Sequence, residues 1–264
     1  MAFDLNNFVI DRIVRGVALS QKDDSVLFSI NQIQNASLNC ASESADAVDA
    51  LGTPIATFYR AKSAEFSAEN ALFDMSLMAT QLGTEKKVAS AAEKITVPAM
   101  ETFTVTAGGK YKLEHAPKAA PTEIYALNGD STFGVKYVKG SAATAEAFAY
   151  TEGDQTITLP TGVAVGTDMF VMYEYETENA VEVINSATKY PTGCKFIMEV
   201  LGCDVCDQTN LIYAYVIFPN FKLSPDFDWN ISTDGSHPFS GKAQQDYCDK
   251  NKLLFNIIIP GDEK

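Results

Sequence analysis

The 264 residues include 46% hydrophobic and 20% charged side chains, an ordinary globular balance in a chain long enough to bury a sizeable core. Twenty Lys and Arg against 34 Asp and Glu leave a net charge of −14, which argues against a broad phosphate-gripping surface and stable nucleic-acid binding. With only His115 and His237 in the chain, His-rich metal centres and mechanisms needing several imidazoles are excluded.

In chain order, the first pattern is VLFSINQI at 26–33, followed by residues 37–40; together they predict two strands. A polar stretch of Ala, Ser, Asp and Glu then reaches Asp49, and its composition predicts an acidic loop over 41–49 carrying Glu43, Asp46 and Asp49. LGTPIATFY at 51–59 is an apolar strand opened by a Gly-Thr-Pro turn. A helix is expected over about 68–82: Ser67 stands at an N-cap position before Glu69, Leu72, Met75, Met78 and Leu82 recur every three to four residues, and Gly83 is a stop. That Leu and Met stripe is core packing of one amphipathic helix against a sheet.

The helical period does not return. Short β-type runs at 94–97, 103–106, 111–113 and 123–127 are separated by Pro98, Gly108-Gly109, Pro117 and Pro121, and hairpin turns are predicted at 128–130 and 152–154. Strands at 155–160 and 168–175 flank a turn at 162–166, so that 117–175 has the character of a small antiparallel module. Beyond it, apolar runs at 195–201 and 211–219 predict a hairpin with a nine-residue connection, 202–210. Residues 226–232 alternate most clearly: Phe227, Trp229 and Ile231 on one face, Asp226, Asp228, Asn230 and Ser232 on the other. Around 240–250, Phe239, Ala243 and Tyr247 fit an edge strand or a short helix, and 253–259 is a closing strand. The expected fold is mainly β: an antiparallel β-sandwich or partly closed barrel with one α-helix and an inserted small β module. The corresponding domain organisation is a core of 1–98 and 180–264 with an insertion of 99–179.

No run approaches the 18 to 20 apolar residues of a membrane-spanning helix, and the N-terminus, with Asp4 and no basic leader, lacks the pattern of a secretory signal, so a soluble protein made in a cytosol is expected. Five cysteines, an odd number, suit free thiols rather than a disulfide framework. Cys203-Asp-Val-Cys206 has the spacing of a zinc knuckle, but completing a tetrahedral site would require Cys194, Cys248 or His237 to converge on it; packed or free thiols are the favoured reading, and no metal or other cofactor is expected. DFDWN at 226–230 copies the acidic start of a calcium loop, yet Ile231 stands where Gly is needed and His237 where a bidentate Glu is needed. Gly108-Gly109-Lys110 lacks the spacing of a phosphate loop, Ser236 and His237 are adjacent and point apart on an extended chain, and no nucleophile elbow frames any Ser or Cys. Nothing in these residues makes an enzyme.

The order of segments resembles that of tail tube proteins of tailed bacteriophages. The segments carrying the resemblance are DALGTPIATFYRAKSAEFSAENALFDMSLMATQ at 49–81 and the closing 221–260, from FKLSPDFDWNIS to LLFNIIIP, about a quarter to a third of the chain. The resemblance implies a non-enzymatic virion protein whose subunits form hexameric rings, stack with one another and with other tail proteins, and line a channel that DNA crosses transiently. It implies a protein made in the bacterial host cytoplasm and no membrane partner. Asp226 and Asp228 are then the expected channel-facing acids, and Glu43, Asp46 and Asp49 an inter-subunit loop. A decoration or baseplate component and an adhesin or carbohydrate-binding module share the β architecture and stand as the other readings.

Overall fold

A computed structural model describes residues 7–245 and 252–261. The elements in order are β1 Phe8–Ser20, β2 Val26–Ile30, β3 Ile33–Val48, β4 Pro54–Asn70, α1 Met75–Gln81, β5 Lys87–Val88, β6 Ile95–Thr104, β7 Lys110–Lys112 and β8 Glu123–Leu127. There follow β9 Phe133–Gly140, β10 Ala147–Thr151, β11 Thr156–Thr158, β12 Asp168–Thr177, β13 Val181–Glu182, β14 Gly193–Asp204, β15 Asp207–Leu223, β16 His237–Ala243 and β17 Asn256–Ile258. The protein is mainly β, as expected, and divides into two compact units, Met1–Lys86 with Val183–Lys264, and Lys87–Glu182.

The first unit is built on an antiparallel sheet in the order β2-β1-β14-β15-β16-β4-β3, with β17 added against β15, and this sheet curls into a half-barrel. β14, β16 and the end of β4 carry a period-two burial pattern that keeps one face dry. Phe66, Phe196, Phe218, Phe221 and Phe239 project from β4, β14, β15 and β16 into one cluster, with centroids 5.3–6.3 Å apart and mostly tilted rings. Gly241 stands opposite Phe66 because a Cβ there would lie 2.5 Å from the Phe221 ring. Cys194 lies in the same core, its thiol donating to the Phe221 carbonyl at 3.3 Å, and burial pushes that thiol up to about 12.

The second unit is a seven-stranded sheet, β6-β12-β8-β9-β10-β11-β7, antiparallel except for β9 beside β10. The β5–β13 pair sets Lys87 opposite Glu182 and so brings the two ends of the unit together. β6 pairs with β12 over its full length, Ile95 to Thr104. The core includes Ile124, Phe148, Ile157, Met169 and Val171, all fully buried. One carboxylate joins it: Glu101 accepts from the Tyr173 and Tyr111 hydroxyls and from the Glu114 amide. Burial, reinforced by the Glu101 carboxylate, pushes the Tyr111 phenol up to about 12 and raises Tyr173 as well.

Several sequence expectations are corrected. The helix occupies Met75–Gln81, not 68–82, and its N-cap is Asp74, whose carboxylate accepts from the Leu77 amide at 2.7 Å; Ser67 belongs to β4. The last residues of β4 follow a period of two, with Phe66, Ala68 and Asn70 buried, while Leu72 points to solvent. Residues 41–48 are not a loop but the distal half of β3, and the turn is confined to 49–53. The 202–210 connection is instead a tight turn at Val205 and Cys206 between β14 and β15. Residues 226–232 form no strand, since no neighbouring strand supplies a hydrogen-bonding edge; Trp229 is half-buried by stacking on Phe73 at 4.3 Å, and Ile231 is 81% exposed.

Candidate assembly surface

The sheet of the first unit ends in two projections, and the outer half of the larger one lies beyond the core. It is the outer half of the β3–β4 hairpin, where from Ala41 to Ser63 every residue is exposed. Pairing continues there through Glu43–Arg60, Ser44–Tyr59, Ala45–Phe58, Asp46–Thr57 and Ala47–Ala56, so the segment is a regular two-stranded ribbon. A bulge at its base puts Ala61 in the left-handed region, at φ 48°, and marks where the ribbon leaves the core. Its tip is fixed by Asp49, which accepts from the Leu51 and Thr53 amides at 2.8 Å each; those amide bonds, Thr53 first, lower the carboxylate's pKa.

The second projection is made by the ends of β1, β14 and β15. Val9, Cys203 and Leu211 lie side by side across its three strands, with Leu201 and Tyr213 in an adjacent row. Gly202 lets the β1 backbone and the Phe8 ring close over β14; a Cβ there would sit 2.2 Å from the Val9 carbonyl. Further down the same face, Arg15 pairs with Glu199 at 2.5 Å. Among the described strands, β2 pairs with β1 only from Gly16 onward, while β17 and β16 meet β15 only from Tyr215 onward.

Behind these projections α1 is clasped by a single imidazole. The Asp74 amide donates to Nδ1 of His237 at 3.3 Å, and Nε2 donates to Oε1 of Gln81 at 2.8 Å, which ties both ends of the helix to the start of β16. Gln81 in turn donates to the Pro238 carbonyl. The ring is fully buried and stacks on Phe73, so burial lowers its pKa, with the Asp74 carboxylate opposing in part.

The candidates from the sequence are dispersed. Glu43 and Asp46 lie on the ribbon, and Asp46 accepts from the Thr57 hydroxyl at 2.7 Å; Asp49 holds the turn. Asp226 and Asp228 are exposed on the connection before β16, so the strand alternation that singled them out has no counterpart in the fold. Cys203 is half-buried on β14 and Cys206 exposed at the turn, its amide donating to Asp204. Cys194 and His237 are both buried in separate packing, and Cys248 lies outside the described residues. Among the described residues no group of three or more His, Cys, Asp or Glu is arranged to hold a metal ion, and no helix is long and apolar enough to cross a membrane. The hollows of the first unit are open; one is lined by Ser67, Glu69, Asp226, Phe227 and Ser240, without a converging nucleophile and base. What the sequence did not reveal is the ribbon itself, visible only once residues 41–48 are paired as a strand.

The first unit is thus a curled β half-barrel sheet carrying a long exposed ribbon. The chain belongs to the YomU/Tube protein family, whose model matches residues 8–253. No curated protein matches the chain. The family agrees with the resemblance to phage tail tube proteins drawn from 49–81 and 221–260, and with a structural component of the virion.

Proposed function

We propose that this protein is the ring-forming subunit of a phage tail tube, whose rings, hexameric in the related tubes, stack into a channel for DNA ejection. The observation that carries the reading is the β3–β4 ribbon: paired over its length, wholly exposed, and bearing Val48, Leu51, Ile55, Phe58 and Tyr59 outside any core. An isolated two-stranded ribbon is marginal in water, so a ribbon of this length gains its stability from a partner surface. Identical copies supply that surface in a closed ring.

The net charge of −14 fits a conduit, because an acidic wall repels the polyphosphate instead of gripping it. Within this reading the chain works without a cofactor or catalytic residue, alongside other tail proteins, after synthesis in the host cytoplasm. A carbohydrate-binding role is less well supported. The grouped partly exposed rings of the second unit, Tyr125, Phe133 and Phe170, tilt at 46° and 56° to one another, where a sugar-stacking platform needs flat, open faces. Light scattering of the purified chain across a concentration series tests the proposal: a ring-sized species that grows with concentration supports it, and a 28.6 kDa species throughout contradicts it.

A further inference from the structure

We infer that His237 is an acid-released clasp: its protonation frees the N-terminal end of α1 from the start of β16 and draws Phe73 off the His237 and Trp229 rings, while the sheet beneath stays folded. The tautomer of the imidazole is fixed by its neighbours. The Pro238 carbonyl can only accept, so the Gln81 amide turns its nitrogen that way, at 3.2 Å, and presents Oε1 to the ring. Nε2 therefore carries the proton. On the other side the Asp74 backbone N–H can only donate, at 3.3 Å, so Nδ1 is bare. Both ends of α1 are thus held by an imidazole that these contacts require to be neutral.

A second proton goes to Nδ1, where it faces the Asp74 N–H donor to donor, in a site where the ring is 0% exposed. The charged groups around the ring do not compensate. From α1, the Asp74 carboxylate is engaged as the helix cap, accepting from the Leu77 amide at 2.7 Å, and turning it toward the imidazolium uncaps the helix. From β4, the residue paired with His237 is the uncharged Asn70, while the neighbouring Glu69 accepts from the Ser236 hydroxyl at 2.9 Å. From the connection before β16, Phe227 lies 6.0 Å from the ring, and Asp226, Asp228 and Asp234 are exposed to solvent. Burial accordingly holds the ring's pKa below 6.5, with Asp74 as the opposing charge. The cover that gives way is α1, because a helix of seven residues does not persist without its tertiary contacts. Phe73, next to the cap, moves with it. That side chain is 39% exposed and stacks on Trp229 at 4.3 Å and on His237 at 5.2 Å.

Fluorescence of Trp229, the single tryptophan, tests this in the unassembled chain. As the pH is lowered from about 7.5 to about 5, the emission should shift to the red as Phe73 leaves, with the far-ultraviolet circular dichroism of the sheet unchanged. His237→Gln, which keeps an amide in place of the ring but takes up no proton, should abolish the shift, and His115→Gln should retain it. Hydrogen exchange supplies a second measurement that needs no variant. Once exposed, an imidazole with its ordinary pKa of 6.5 favours the opened form by up to about thirtyfold at about pH 5. Exchange of the amides of 74–82, corrected for the pH dependence of free amides, should therefore rise several-fold while that of 194–201 does not. An emission shift that survives in His237→Gln overturns the proposal, as does a wild type with no shift down to about pH 5. Loss of circular dichroism together with the shift overturns it as well, because the sheet then opens with the helix. An exchange increase at 74–82 below about twofold does the same.

Discussion

Replacing Phe66 by Ala tests whether the phenylalanine cluster holds the first unit together. Phe66 is 2% exposed, and its ring lies 5.9 Å from those of Phe196, Phe218 and Phe239 and 6.3 Å from Phe221. Truncating a buried Phe to Ala costs roughly 3–5 kcal/mol, and the spread reflects how far the site can collapse. Collapse is restricted here because the neighbours are rigid rings and the residue paired with Phe66 on β16 is Gly241, which has no side chain to move in. We therefore expect about 4 kcal/mol, and with a urea dependence of about 2 kcal/mol per molar the unfolding midpoint should fall by about 2 M. Trp229, the single tryptophan, stacks on Phe73 in the same unit and reports the transition by fluorescence in the unassembled chain. Phe66→Leu should fall between wild type and Phe66→Ala. A midpoint shift below about 0.5 M for Phe66→Ala would refute the reasoning, because a loss that small means the cluster is not close-packed.

Other expected outcomes concern the buried polar groups and the thiols. The folded pKa of His237 is lowered below its ordinary 6.5, so the unfolded chain takes up the proton first; stability present above pH 6.5 should fall as the pH drops through 6.5 toward the folded value, and His237→Gln should flatten that slope in thermal melts. Glu101→Ala strips the acceptor from the Tyr111 and Tyr173 hydroxyls and the Glu114 amide, and should lower the stability of the second unit by about 2–4 kcal/mol, read by near-ultraviolet circular dichroism of its tyrosines. Iodoacetamide followed by peptide mapping should label exposed Cys40 and Cys206 in the native chain and Cys194 only after denaturation, since burial and the Phe221 carbonyl hold that thiol protonated.

Fold class was legible because turn chemistry and period-two alternation are local. Strand β8 at 123–127, the turn at 128–130 and the β14–β15 cores each announced themselves through β-branched and aromatic residues bounded by Asn, Gly and Pro. Where the fold departs from the sequence pattern, strand pairing overrides local composition. SESADAV at 42–48 is rich in residues that strands disfavour, yet pairing with PIATFY at 54–59 makes it a strand. Residues 226–232 erred in the opposite direction: the alternation is present, but a strand needs a neighbour, and stacking of Trp229 on Phe73 explains the aromatic without one. The helix starts later than its apolar period for a related reason. Leu72 extended a helical period by coincidence, while the packing of Phe66 and Ala68 into the sheet fixed 67–70 as strand and left Asp74 as the cap.

Electron microscopy of the purified protein at increasing concentration tests the central claim most directly. Annular particles with a central channel, stacking end to end into tubes as concentration rises, are the result expected. Isolated particles of single-chain size at every concentration, with no ring, would contradict the assignment of this chain as a tube subunit.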